Sequence, residues 1–239
     1  MKRLATFALL SVFCMVFGIQ SVFAGPFGID MGMSLAKIKR ISKTVPKDLG
    51  DNKYEITPPK TSDLFESYLV WIDSDYGVYA MKAIGKDIHT NGYGDRLKST
   101  FNLLVESIRK TYGEESYKRD EMKEGSIWSE PRYFMHALQE GDRELYAMWS
   151  RELNTLQIEL DIKKKILSDT VLLEKLAPIT DKKVQDLVLN KMSEYKKLPS
   201  DIAVIGVYAN ALSSSLGYVA LEYSFSNNDA VKEKADSVF

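Results

Sequence analysis

The chain has 239 residues, 45% hydrophobic and 27% charged, with 32 Lys and Arg against 33 Asp and Glu and a net charge of −1 at pH 7. So even a balance leaves no electrostatic footprint for DNA, RNA or an anionic membrane surface. Cys14 is its only cysteine, which excludes an intrachain disulfide and thiolate metal clusters.

The first 24 residues read as a secretory signal peptide. Lys2 and Arg3 are basic, Leu4 to Phe17 is almost wholly apolar, and Val22-Phe23-Ala24 puts small residues at the positions needed for a cut before Gly25. The stretch is too short and wrongly flanked for a spanning helix. Lipoprotein processing at Cys14 is disfavoured because Ser11-Val12-Phe13 lacks a small residue beside the cysteine. Removal of the leader takes Lys2, Arg3 and Cys14 with it, leaving a cysteine-free chain of net charge −3. The expected product is exported, periplasmic or secreted, with no stable membrane insertion after cleavage.

Residues 25–239 read as one globular α+β region. Ser34 is placed to cap a short helix in which Leu35, Ile38 and Ile41 recur at helical spacing before Pro46. Tyr54 and Ile56 alternate before Pro58-Pro59, which ends any strand. Glu66–Ile72 and Val78–Ile84 form a hairpin across Asp73-Ser74-Asp75-Tyr76-Gly77, and apolar residues on both faces suggest an interior position in the sheet.

Asp95–Tyr112 is the clearest helix. Leu97, Phe101, Leu104, Val105, Ile108 and Tyr112 make one stripe, opposite Lys98, Asn102, Glu106 and Arg109. Asp95 is expected to cap its start and Gly113 to end it. The acidic and basic run Glu114–Glu124 reads as a solvated connector, with 114–130 as a boundary between halves 25–113 and 131–226.

Pro131 opens a second short helix carrying Tyr133, Phe134, Ala137 and Leu138. Glu144–Ser150 and Leu153–Lys163 read as a second hairpin, the latter alternating strictly apolar and polar. Ile166–Leu198 reads as helical, interrupted near Pro178. A third hairpin pairs Ile202–Ala211 with Gly217–Phe225 across a Ser-rich turn, and the tail from Asn227 is a short helix or frayed end. The expectation is an antiparallel sheet of about six strands in three hairpins, helices on one face. Helix, hairpin, helix recurs in both halves, a pseudo-repeat of architecture rather than a solenoid.

Phe27-Gly28-x-x-x-Gly32-Met33-Ser34, followed by Leu35 and Ile38, resembles the start of many small exported bacterial proteins of unassigned role. It is distantly similar to the helix-plus-antiparallel-sheet modules of the β-lactamase-inhibitor-protein and outer-membrane small-lipoprotein group. The resemblance covers at most Phe27 to Gly113. It implies a two-layer α+β fold and a role in holding another protein, and it transfers no functional residue.

Catalytic motifs are missing. There is no G-x-S-x-G elbow, P-loop or dinucleotide fingerprint, so no catalytic residue and no cofactor is assigned. His89 and His136 lack the second-His spacing of a zinc site, and Asp73-x-Asp75 mismatches a calcium loop, so no metal is expected. His136, on the helix after Pro131, reads as a structural residue buried beside a hydrogen-bond partner. The candidate binding residues are His89, Asn91 and Tyr93, in a polar, glycine-bearing loop whose following helix N-terminus offers free amides to an anion. The competing account has Asn91-Gly92 making a turn, Asp95 filling those amides and Tyr93 packed over the helix. The functional expectation is an exported binding or accessory protein of the bacterial envelope, acting on an unidentified protein partner. The alternative is an envelope hydrolase whose carboxylates and His89 meet only in the fold.

Overall fold

A computed structural model describes residues 25–152 and 198–236. The leader, the expected strand Leu153–Lys163 and the expected helical stretch up to residue 197 lie outside the described residues. The fold is α+β, as expected, but the antiparallel sheet has nine strands among the described residues rather than about six.

In chain order the elements are α1 (Leu35–Ile41), β1 (Lys47–Asp48), β2 (Lys53–Ile56), β3 (Phe65–Asp73), β4 (Gly77–Gly85) and β5 (Ile88–His89). Then follow α2 (Asp95–Tyr112), β6 (Tyr117–Met122), α3 (Phe134–Gln139), β7 (Arg143–Ser150), β8 (Ile202–Ser213), β9 (Leu216–Phe225) and α4 (Asn228–Asp236). The strand order is β1-β2-β3-β4-β9-β8-β7-β6, with β5 pairing β9 as well. The β3–β4 and β8–β9 hairpins meet at β4–β9, where Met81 lies opposite Tyr223 and Ala83 opposite Leu221.

Alternation along the strands builds the core face. One row of opposed residues runs Ile56, Tyr68, Ala83, Leu221, Val207 and Ala147, and all are buried. The helices α2 and α3 lie against this part of the sheet, touching β7, β8 and β9. Leu97, Phe101, Leu104, Val105 and Ile108 of α2 are all buried, as their spacing predicts. Each such burial contributes about 1.5–3 kcal/mol, so this face alone fixes the helix to the sheet. Gly113 ends α2 at φ 87°, its N–H donating to the Arg109 carbonyl.

Three expectations are corrected. Glu114–Glu124 is no mere connector: Tyr117–Met122 is a strand in register with β7, the edge of the sheet among the described residues. Its charged side chains, salt-bridged as Arg143 to Asp120 and Arg119 to Glu144, discourage a further strand from adding at that edge. Asp95 is the first helical residue rather than the cap, a place taken by Gly94. Lys98 does not stand free on the polar side of α2, because its ammonium lies 3.9 Å from the Phe134 ring centre.

The opening motif acts as a brace. Phe27 packs edge-on against Phe65 and Tyr68, at 5.6 and 5.0 Å between ring centres. Gly32 N–H donates to the Val78 carbonyl and Val78 N–H to that of Met33, tying the segment to the start of β4. A Cβ at Gly77 would lie 2.3 Å from the Gly32 carbonyl oxygen, so this crossing admits no side chain. Ser34 caps α1 as expected, its hydroxyl accepting from Lys37 N–H at 3.3 Å.

Candidate functional site

The loop from His89 to Gly94 is held by its own backbone and by two neighbours. β5 pairs His89 with Leu216 of β9, and Thr90 N–H donates to the Ser215 carbonyl at 2.9 Å. On the other side, Met135 N–H donates to the Gly92 carbonyl at 3.1 Å. The contact is close enough that a Cβ at Gly92 would sit 2.6 Å from the Arg132 carbonyl oxygen. The loop is thus clamped between the β8–β9 turn and the start of α3.

The helix N-terminus is already satisfied. Asn91 Oδ1 accepts from Asp95 N–H at 3.3 Å, and Thr90 Oγ1 accepts from Arg96 N–H at 3.1 Å. Asn91 Nδ2 also donates to the Asp95 carboxylate at 2.8 Å. These side chains take the donors that would have received an anion, so the anion-binding role expected of the loop is withdrawn. Asn91 holds the loop together, and Thr90 does the same work without having been singled out. A polar residue five or six positions before the first helical turn was the only signal for it.

His89 and Tyr93 both reach solvent, and Tyr93 is 49% exposed. Tyr93 is therefore not buried over the helix. Beside it, across the Gly92–Arg132 contact, stands an aromatic group that the sequence did not assemble. The Trp128 ring stacks on His136 at 5.2 Å and meets Tyr133 edge-on at 5.4 Å. The Arg132 guanidinium lies 4.8 Å from the Tyr133 ring centre.

His136 is corrected accordingly: it is half-buried in this stack, while Phe134, Met135 and Ala137 form the buried side of α3. Ile127, next to Trp128, is 79% exposed, and Leu212, in the β8–β9 hairpin that holds the loop, is 50% exposed.

The acidic turn between β3 and β4 is occupied from within the chain. Asp73 accepts from the backbone N–H of Asp75 at 2.8 Å and of Tyr76 at 3.1 Å. Lys234 of α4 reaches both Asp73 oxygens at 3.1 Å and Asp75 at 2.6 Å. The backbone amides first, and then the ammonium, hold the Asp73 carboxyl below its ordinary 3.8. Among the described residues no group of three or more His, Cys, Asp or Glu is placed to hold a metal.

Two cavities are lined by residues other than His89, Asn91 and Tyr93. One of about 410 Å³ lies between α2 and the segment Ser62–Phe65, and one of about 360 Å³ lies between that segment and β2. Neither joins His89 to a pair of carboxylates. No family model matches the chain, and neither a curated protein nor a solved structure is found similar to it.

Proposed function

We propose that the chain is an exported binding or accessory protein of the bacterial envelope, gripping a protein partner through the end of the sheet that carries His89, Asn91 and Tyr93. The observation that carries this reading is the pairing of a clamped backbone with an exposed Tyr93 and the half-buried rings of Trp128 and Tyr133. Trp, Tyr and Arg are the residues that dominate binding energy at protein interfaces. Tyr93, Trp128, Tyr133 and Arg132 stand on a loop and a helix start locked to each other. Such a surface loses little entropy when a partner docks, because its conformation is set beforehand. Export rests on the leader, with its basic start, apolar stretch and small-residue exit.

The test places a photo-crosslinking amino acid at position 93, at 127, and at exposed Thr111 on the far end of α2 as a control. Cells producing each variant are irradiated and the envelope fraction is analysed. The same adduct is expected from positions 93 and 127 and not from 111. With the crosslinker at 127, His89→Ala/Tyr93→Ala should abolish that adduct while leaving the unfolding midpoint within about 2 °C, since both side chains are exposed. Loss of stability with the adduct intact, or an identical adduct from position 111, refutes the surface. A wild-type protein whose N-terminus is Met1 refutes export.

A further inference from the structure

The two cavities share a wall, since Ser62 and Phe65 line both. The shared segment is fixed: Ser62 N–H donates to the Tyr68 hydroxyl at 2.8 Å, and Lys86 N–H donates to the Leu64 carbonyl at 3.0 Å. The two sides of this wall differ in chemistry. On the α2 side no described residue of the lining is charged. Phe27, Leu64, Leu103, Leu104 and Ile108 supply its surface, with the hydroxyls of Thr100 and Ser107. Leu103 is 70% exposed there, although its α2 neighbour Asn102 and the later Glu106 are polar. On the β2 side the lining carries both signs of charge, Lys47 and Lys86 against Glu55, Asp63 and Glu66, with hydroxyls from Thr44, Thr57 and Thr61. Each volume falls within the roughly 300–1,000 Å³ usual for small-molecule sites.

We propose that the two cavities form one site for an amphiphile with a single acyl chain and a compact zwitterionic headgroup. The chain lies against α2 and covers Leu103, and the headgroup sits among the lysines and carboxylates of the β2 side. Charge complementarity selects this occupant. An uncharged lining strips no ion of its water when a hydrocarbon enters it, whereas a charged ligand there would lose hydration without recompense. A lining of mixed sign matches a headgroup that itself bears both signs. A simple fatty acid would find partners only in the lysines and face three carboxylates. The site is separate from the His89–Tyr93 surface and does not depend on it.

The test is calorimetric titration of the purified protein with lysophosphatidylethanolamine below its micelle concentration, with palmitate, and with phosphoethanolamine lacking a chain. Saturable binding of one lysophosphatidylethanolamine per chain is expected, with palmitate weaker and phosphoethanolamine undetectable. Leu103→Glu, at an exposed position, should weaken lysophosphatidylethanolamine at least tenfold with the melting midpoint unchanged. Lys86→Glu should weaken both lysophosphatidylethanolamine and palmitate, since the anionic group of each has only Lys47 and Lys86 as partners. No saturable binding, or binding indifferent to Leu103→Glu, overturns the site. Palmitate binding as tightly as the zwitterionic probe overturns the headgroup assignment. A dimer in sedimentation that Leu103→Glu converts to monomer overturns the amphiphile in favour of a second copy of the chain.

Discussion

Replacing Gly94 by alanine tests whether the candidate loop is clamped. Two separate penalties fall on this one methyl group. Gly94 sits at φ +71°, where an L-residue costs about 1–2 kcal/mol. The added Cβ would also lie 2.4 Å from Cδ1 and 2.6 Å from Cε1 of Phe134. That ring is 1% exposed, and Lys98 and Arg143 lie 3.9 and 4.9 Å from its centre, so it has little room to yield. Overpacking of this kind costs about 1–3 kcal/mol, giving about 2–5 kcal/mol in all. Gly125 is the matched control, because it has φ +79° with nothing within 4 Å of its added Cβ. Gly125→Ala should therefore show only the backbone penalty, about 1–2 kcal/mol. Urea unfolding followed by tryptophan fluorescence and circular dichroism measures both. Phe134→Leu in the Gly94→Ala background should recover part of the loss, the coupling expected of residues in contact. Equal destabilisation at Gly94 and Gly125, or no recovery with Phe134→Leu, would refute the clamp.

Two of the three expected hairpins, β3–β4 and β8–β9, were legible in the sequence, whereas β7 pairs with β6 and β8 and the strand expected to partner it lies outside the described residues. β3, β4, β8 and β9 fall where Glu66–Ile72, Val78–Ile84, Ile202–Ala211 and Gly217–Phe225 were expected, because inward residues of a central strand must be apolar. β6 was hidden by the same rule. Tyr117-Lys118-Arg119-Asp120-Glu121-Met122 lies at the sheet edge, where neither face demands a hydrophobic run and charge is an advantage. β1 and β5 are two residues each, set by their partners' registers rather than by any local pattern.

The site was half legible. A polar loop before a strong helix marked His89, Asn91 and Tyr93, and the structure leaves His89 and Tyr93 in solvent. It gave no sign that Trp128, Tyr133 and His136 would stand beside them, since that meeting depends on α3 crossing Gly92. The capping work of Asn91 was not legible for a related reason. A side-chain carbonyl and a capping carboxylate compete for the same amides, and only backbone geometry decides which reaches them. Leu103 escaped notice because it lies between the buried stripe and the charged side of α2.

Two further predictions concern the core and the carboxy-terminal helix. Phe101→Ala should cost about 3–5 kcal/mol in urea unfolding, because the ring is fully buried, while exposed Ser99→Ala should stay within about 0.5 kcal/mol. Similar losses at both positions would mean the buried side of α2 is misassigned. The Asp73–Lys234 contact should make stability fall at both extremes of pH. Asp73 has a folded pKa below its ordinary value, so its contribution is present above about pH 4 and is lost as pH falls through the depressed pKa. Lys234 is raised by its hydrogen bonds to Asp75 and then Asp73, so its contribution is present below about pH 10.5 and is lost as pH rises through the elevated pKa. Asp73→Asn keeps an acceptor for the Asp75 and Tyr76 amides but removes the titration. Its melting midpoint should therefore be lower than wild type at pH 7 and should decline less steeply between about pH 4 and 2. The remaining decline includes that of Glu115, which, against the raising effect of burial, Arg109 also holds below its ordinary value. Parallel acid limbs in the two proteins would show that Asp73 has the same pKa folded and unfolded, and that α4 is not held by this carboxylate.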